Sequence, residues 1–572
     1  MKVPLEVEQA VDRKKIAAYV VGHLPIVKSY AVKIGLVDII NELIPSKMDI
    51  DPGTIFLGMV MDTLSGRTPL YRLEEFFQDQ DTELLLGKRI NPAVFNDYNV
   101  GRVIDKAYAI GAIKLFSAIS KRAVDVFEVN NRHVSFDTTS VSVFGDYDLY
   151  PDDDESSVLK ITYGHSKDHR PDLKQFLVSM LCVDRNVPVF GKTEDGNGSD
   201  KTINNTILTS ISKRMALHGL EPGAFIYIAD SAMVTKKNLL AIGDSTLFIS
   251  RLPANYKECL RVIKDAIEKE KWQELGILSS TRPTDKRPAA RYKAYESNVE
   301  IHGKKYRAVV IHSSAHDKRR QKRIDRELKA DRKALEQQCK VIYKKDFFCL
   351  ADAQAAQAEL GKTKCKYYVL NTEIEEKPKY KRGRPKGGIR EIKEMRYGLL
   401  STITEDDKSV SKLRQEAGCF VMLTNVPKEG KDSYDAKDIL KAYKDQYGIE
   451  QNFGFLKDPV IVNSVIVNSI FLKRPERIEV LGLVLLLSLL IWRLIEREMR
   501  QYVEREKRDL PGWKRRRTTR PTTFMLMTNF QRIMIIKIGD NRRLNKPFTE
   551  KQMEYLISLK VDPSAFIKPG AG

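Results

Sequence analysis

The sequence predicts an α/β protein: a mixed sheet with helices against it, preceded by a helical block and interrupted by a β-rich insertion. Three observations predict it. Apolar residues recur at helical spacing through roughly the first 125 residues. From residue 131 the pattern turns to strands, then a helix, then continuous apolar strands, as in a sheet with a parallel part buried on both faces. After about residue 435 helical periodicity returns. Hydrophobic residues make up 42% of the 572, enough for several cores, which excludes wholesale disorder.

In the first block, 1–128, residues 32–43 and 55–64 carry apolar positions at i, i+3, i+4, and 100–127 is a longer helical pattern. Asp51-Pro52-Gly53 offers an N-cap followed by Pro at the first turn. Such helices fit a helix-turn-helix DNA module or a plain helical cap on the next domain. In 129–251, residues 134–144 alternate, 175–183 is a second strand and 187–190 a short third. An amphipathic helix over 202–218 leads to the continuous apolar strand 224–229, which ends at Asp230, and 246–250 is another strand. The insertion covers 252–425. It holds a hairpin at 298–313 turning at Gly303, a basic helix at 317–345, and strands at 366–373, 397–403 and 419–424. The second part of the core is 426–500, with helices at 443–457 and 478–500. A basic region, 501–572, reads as weakly structured.

Lys and Arg number 97 and Asp and Glu 76, so the net charge is 97 − 76 = +21 and the pI about 9.4. That surplus calls for a polyanion, either nucleic acid or an anionic membrane. The longest apolar run, Val480–Trp492, has thirteen residues before Arg493. It is too short to span a bilayer and fits a buried core helix, so nucleic acid is left as the partner and no membrane is expected. The six cysteines form no C-x-x-C pair, which argues against a disulfide framework or structural zinc and suits a reducing cytoplasm.

Three acidic residues stand out. Asp137 sits inside a strand, where a carboxylate is costly unless paired or metal-bound. Asp230 closes an apolar strand, and functional groups of open α/β sheets gather beyond strand carboxyl ends, although such an Asp is also an ordinary N-cap. Tyr443, Glu450 and Lys457 are spaced 7 and 7, which puts them on one stripe of a single helix, with Gln446 on the same side. A plain amphipathic helix with a surface Glu gives the same spacing. Three carboxylates on a sheet and its packed helix could hold two hard divalent cations of the kind that catalyse phosphoryl transfer.

These residues resemble the signature of DDE transposases of the insertion-sequence-four superfamily. The matches are Phe136-Asp137-Thr138-Thr139, Ile228-Ala229-Asp230-Ser231-Ala232, and the helix motif Y-x2-R-x3-E-x6-K, with Tyr443, Glu450 and Lys457 in place and Gln446 where the family has Arg. The segments Tyr163–Gln175 and Gly196–Lys201 are similar to the family as well, and Phe95–Arg102 resembles the helical leader domain of one branch. The resemblance covers roughly 130–500. It implies an RNase H-like core in which Asp137, Asp230 and Glu450 bind two Mg²⁺ (or Mn²⁺), interrupted by an insertion domain. It implies that Tyr443, Gln446, Lys457 and Lys201 lie along the DNA, with Gln446 weakening one phosphate contact. The implied chemistry is cutting and joining of double-stranded DNA at terminal inverted repeats. The implied assembly is a homodimer on paired ends in a prokaryotic, nucleoid-associated setting.

Lys381–Lys386 (KRGRPK) resembles an AT-hook, whose Arg382 and Arg384 could enter a narrow A·T minor groove; a solvated basic loop is the alternative. Two rival functions remain: a metal-dependent DNA nuclease without strand transfer, and a non-catalytic DNA-binding remnant.

Overall fold

The computed structural model describes residues 16–65, 72–143, 147, 158–167, 170–216, 218–219, 221, 223–278, 283, 288–363, 365–383, 390–430, 432–446, 448–457 and 474–570. The chain is a mixed α/β protein that divides into two compact units, 1–251 with 424–572, and 252–423.

The first unit contains β1 (Ile16–Val20) and a five-strand array of β2 (His133–Val143), β3 (Lys174–Val183), β4 (Val187–Glu194), β5 (Ile226–Ala229) and β6 (Leu247–Arg251), in the order β4-β3-β2-β5-β6. The first three strands form an antiparallel meander, and β5 and β6 run parallel to β2. The crossover from β4 to β5 carries the helix Asp200–Ala216. Almost every residue of β3 and β5 is buried, as their unbroken apolar sequences require.

The apolar run at 480–492 lies in a 32-residue helix, Pro475–Glu506. This helix is long and apolar enough to cross a membrane, but 94% of its apolar window is buried inside the protein. It packs against β4 through small residues on both sides: a Cβ at Gly191 would lie 2.4 Å from Leu486, and one at Gly482 2.4 Å from Thr193.

Two helical patterns of the N-terminal block are interrupted. The stretch 100–127 is two helices, Asp97–Ile110 and Ala112–Val126, because Gly111 takes φ +97 between them. The stretch 32–43 is likewise divided between Leu24–Lys33 and Leu36–Leu43. The helix at Pro52–Ser65 starts as its sequence predicts, with Asp51 accepting from Thr54 N at 2.9 Å.

The basic region after 501 is not weakly structured. It contains helices Thr523–Phe530 and Glu550–Leu559 and the strand Met534–Ile538, which pairs antiparallel with β1 from Ile16↔Ile538 to Val20↔Met534. Its charges are used internally. Arg542, 2% exposed, bonds Asp81, 1% exposed, at 2.6 Å and Glu83 at 2.6 Å. The pairing of residues some 500 positions apart explains why local composition misread this segment.

The second unit holds β7 (Gln273–Ile277), β8 (Arg291–Ile301) and β9 (Lys304–Ser313), antiparallel in sequence, with His302-Gly303 at positive φ in the β8–β9 turn. A separate antiparallel ribbon is formed by β10 (Tyr368–Tyr380) and β11 (Ile392–Glu405). The 30-residue helix Ser314–Tyr343 buries Ile324, Leu328 and Leu335 against Tyr367, Tyr368, Val410 and Ala417.

Arg542→Ala removes the nearest cation of the buried Asp81 carboxylate, leaving Lys537 at 3.5 Å, at a cost of about 3 kcal/mol, and should lower the apparent Tm accordingly. Hydrogen bonds from Arg542 and Lys537 hold the Glu83 carboxyl down at about 2. The stability from Glu83 is therefore complete above its unfolded value near 4.5 and is lost as pH falls toward 2. The variant should show a shallower acid dependence than wild type; equal Tm and equal pH profiles would refute the clamp.

Candidate active site

Asp137 and Asp230 are brought together by the parallel pairing of β2 with β5. The register runs His133↔Ile226, Val134↔Tyr227 and Ser135↔Ile228, an offset of 93. Asp137 and Asp230 are separated by the same 93 positions. Continued two residues past its last pair, this register sets Asp137 opposite Asp230, on strands about 4.8 Å apart. β5 ends at Ala229, so the pair marks the carboxyl end of its strand.

Each aspartate is partly or fully exposed and accepts a backbone hydrogen bond. Asp137 is 42% exposed and accepts from Thr138 N at 2.7 Å. Lys167 Nζ lies 4.0 Å from Asp137 Oδ1 and donates to Thr138 O at 2.7 Å and Thr138 Oγ1 at 3.0 Å. An ammonium thus already stands at the edge of the pair. Asp230 is exposed and accepts from Ala232 N at 3.0 Å, so it also caps the short helical turn Ser231–Met233. Its carbonyl accepts from Ser250 Oγ at 2.7 Å, which fixes the strand end against β6. Burial pushes the Tyr227 phenol well up, and the Asp230 and Asp137 charges push it further, which places both carboxylates within electrostatic reach of one fully buried ring.

The expected single helix over 443–457 is two helices, Ala436–Asp445 and Gly448–Lys457. The stripe of Tyr443, Glu450 and Lys457 is therefore interrupted. Gln446 is the C-cap of the first helix, and its carbonyl accepts from Ile449 N at 3.0 Å. Gly448 abuts the Asn186 side chain so closely that a Cβ there would lie 1.7 Å from Asn186 Nδ2, and glycine is a weak helix former. Tyr443 is half-buried; burial raises its phenol pKa, with Arg251 lowering it and Asp230 raising it. Glu450 is exposed in the first turn of its helix, where the helix dipole favours a carboxylate, and Lys457 ends the same helix.

Asn452, two residues past Glu450, pins this helix to the sheet. It is fully buried and donates to Cys182 Sγ at 3.2 Å and to Asn186 O at 2.9 Å, with Met180 Sδ 3.7 Å away. Met180 is the cross-strand partner of Asp137. Arg493, 4% exposed, donates through Nε to Asn452 Oδ1 at 2.6 Å and pairs with Glu496 at 2.8 Å. Burial pushes the Cys182 thiol up to about 12, with Asn452 and Arg493 lowering it and Asp137 raising it. Sequence reasoning missed Asn452 and Arg493. The available signal was a charged residue directly after the apolar run 480–492, in a helix that is buried on every side.

The register thus sets Asp137 opposite Asp230, and the Glu450 helix packs on β2. Among the described residues, however, no group of three or more His, Cys, Asp or Glu side chains is gathered closely enough to hold a metal ion. The two aspartates, as paired hard oxygen donors at a strand end, suit a hard divalent cation; Glu450 is not drawn in with them. Lys201 lies in the helix Asp200–Ala216. Arg382 is exposed between β10 and β11, and Arg384 lies outside the described residues.

A family model, the domain of unknown function DUF4277, matches residues 16–121. The match covers the N-terminal helices and none of the three acidic positions. No curated protein matches the chain.

Titration with Mn²⁺, followed by paramagnetic relaxation of water protons, should detect a site that Asp137→Asn and Asp230→Asn each weaken at least roughly tenfold, the effect of losing a charged ligand worth about 1.4 kcal/mol or more. Unchanged affinity in both variants would remove the pair as a metal site.

Proposed function

We propose that the chain is a DDE transposase that cuts and joins DNA at the terminal inverted repeats of its own element. The observation that carries this proposal is the parallel register that sets Asp137, inside β2, opposite Asp230, at the carboxyl end of β5. The strand order, with a three-strand meander followed by two parallel strands, supports an RNase H-like core. The net charge of +21 supports a phosphate-bearing substrate.

Asp137 and Asp230 would hold two Mg²⁺ or Mn²⁺ ions, with Glu450 as the third carboxylate. When bound, such ions activate a water or a 3′-hydroxyl for attack on a phosphodiester and stabilise the leaving oxygen. The chain's own residues set up that exchange. Asn452 and Arg493 fix the Glu450 helix against β3, so Glu450 is presented from a buried anchor. Ser250 and the turn at 231–233 fix the direction of Asp230. Tyr443 presents a phenol, and Lys457 an ammonium at the far end of the Glu450 helix, both suited to phosphate oxygens. Two ends are joined in transposition, so a homodimer on paired DNA ends is part of the proposal.

One observation favours the non-catalytic alternative: the third carboxylate is not gathered with the other two among the described residues. The products of a reaction separate the readings. Incubation of the full chain with Mg²⁺, a plasmid carrying the element's ends and a target plasmid should give joined products. Cleavage without joining would replace the proposal with a nuclease, and binding without cleavage would replace it with a remnant. Glu450→Gln should retain binding to the ends and abolish nicking; undiminished nicking would remove Glu450 from the site.

A further inference from the structure

The net charge is concentrated in the second unit. Residues 252–423 hold 40 Lys and Arg against 25 Asp and Glu, so 40 − 25 = +15 of the chain's +21 falls in this unit. None of the three acidic positions lies there.

Within this unit the helix Ser314–Tyr343 sorts its cations by partner. Its buried seam is Ile324, Leu328 and Leu335. At 100° per residue, Arg319, Lys322, Arg326, Lys329, Lys333 and Lys340 all fall in an arc of about 80° centred opposite that seam. All six are exposed, and no acidic residue of the helix falls within the arc. Two arginines off the stripe are neutralised: Arg323 pairs with Glu327 at 2.7 Å and Arg332 with Glu336 at 2.9 Å. Asp325, beside the arc, is taken by Arg414 at 2.7 Å. Among the described residues none of the six stripe cations pairs with a carboxylate; Arg319 and Arg326 bond only backbone carbonyls, of Ala315 and Lys322.

A solvated helix face normally mixes charges along its length, and i, i+4 pairs stabilise it. Here the i, i+4 pairs are used off the stripe, and the stripe is left as a ladder of like charge. Such a ladder repels itself and is stabilised by an external polyanion. From Arg319 to Lys340 it runs about 32 Å, close to the roughly 34 Å of one turn of duplex DNA.

We infer that this stripe is a docking surface for the sugar-phosphate backbone of duplex DNA, one that positions the duplex without reading its sequence. The inference takes from the proposed function only that DNA is the substrate; it uses neither the carboxylates nor a metal. Arg→Gln and Lys→Gln substitutions at the stripe act on the number of phosphates neutralised, so the salt dependence of binding reads the surface directly.

The test is fluorescence anisotropy of the full chain on a random-sequence duplex, in EDTA, across a series of salt concentrations. The combined variant Arg319→Gln, Lys322→Gln, Arg326→Gln, Lys329→Gln should lower the log–log salt slope by about 3–4 units, at roughly 0.9 per phosphate contact, and weaken binding at low salt by more than tenfold. The paired control, Arg323→Gln with Arg332→Gln, should stay within about twofold of wild type. Circular dichroism and Tm report whether the four-site variant folds; should it not, Lys333→Glu with Lys340→Glu replaces it, with a slope fall of about 2. A wild-type slope in the folded stripe variants overturns the inference, as does an equal loss in the paired control. Loss of binding to phosphatidylserine vesicles with duplex binding unchanged would also overturn it. The assay is run in EDTA and measures binding alone, so failure of the catalytic proposal leaves this result readable.

Discussion

The parallel register between β2 and β5 is the constraint on which the candidate site depends. Parallel strands must be joined by a crossover, and here the crossover contains two antiparallel strands and the helix Asp200–Ala216. Its length fixes the offset at 93, and the same offset separates the two aspartates. A one-residue slip would turn every side chain of β5 to the opposite face and part the pair. The burial of Tyr227 and Ile228 on opposite sides of β5 resists that slip, since both faces of the strand are covered. The same register sets the Asp137 position opposite Asp230, with the Lys167 ammonium 4.0 Å from the first carboxylate.

A second constraint carries the Glu450 helix. Asn452 and Arg493 are polar groups taken out of water, satisfied by each other and by Cys182, Asn186 and Glu496. The bond ties a ten-residue helix, too short to be stable by itself, to the 32-residue core helix and to β3. Glu450 remains in solvent while its near neighbour Asn452 is immobilised.

Much of the core was legible in the sequence because its elements are local. The alternation at 134–144, the continuous apolar run before Asp230 and the thirteen-residue apolar run each announce their own structure, and Asp137 and Asp230 stood out as the polar exceptions within them. What was not legible depends on distant partners. The seven-residue spacing of Tyr443, Glu450 and Lys457 presumes one helix, and spacing alone does not show that it divides after Asp445 or that Gly448 abuts the distant Asn186. The strand Met534–Ile538 is short and basic at its flanks, and its partner β1 lies at the other end of the chain. Net charge was visible as a total, while its sorting into paired and unpaired cations on the helix Ser314–Tyr343 required the ion pairs themselves.

The central claim, that Asp137, Asp230 and Glu450 converge on divalent cations, is tested most directly by anomalous diffraction from crystals of the full chain grown with Mn²⁺ and a DNA end. The account predicts manganese peaks between the Asp137 and Asp230 carboxylates, with Glu450 oxygen at about 2.2 Å from one of them. Manganese bound elsewhere, or at the aspartates with Glu450 still turned to solvent, would contradict it.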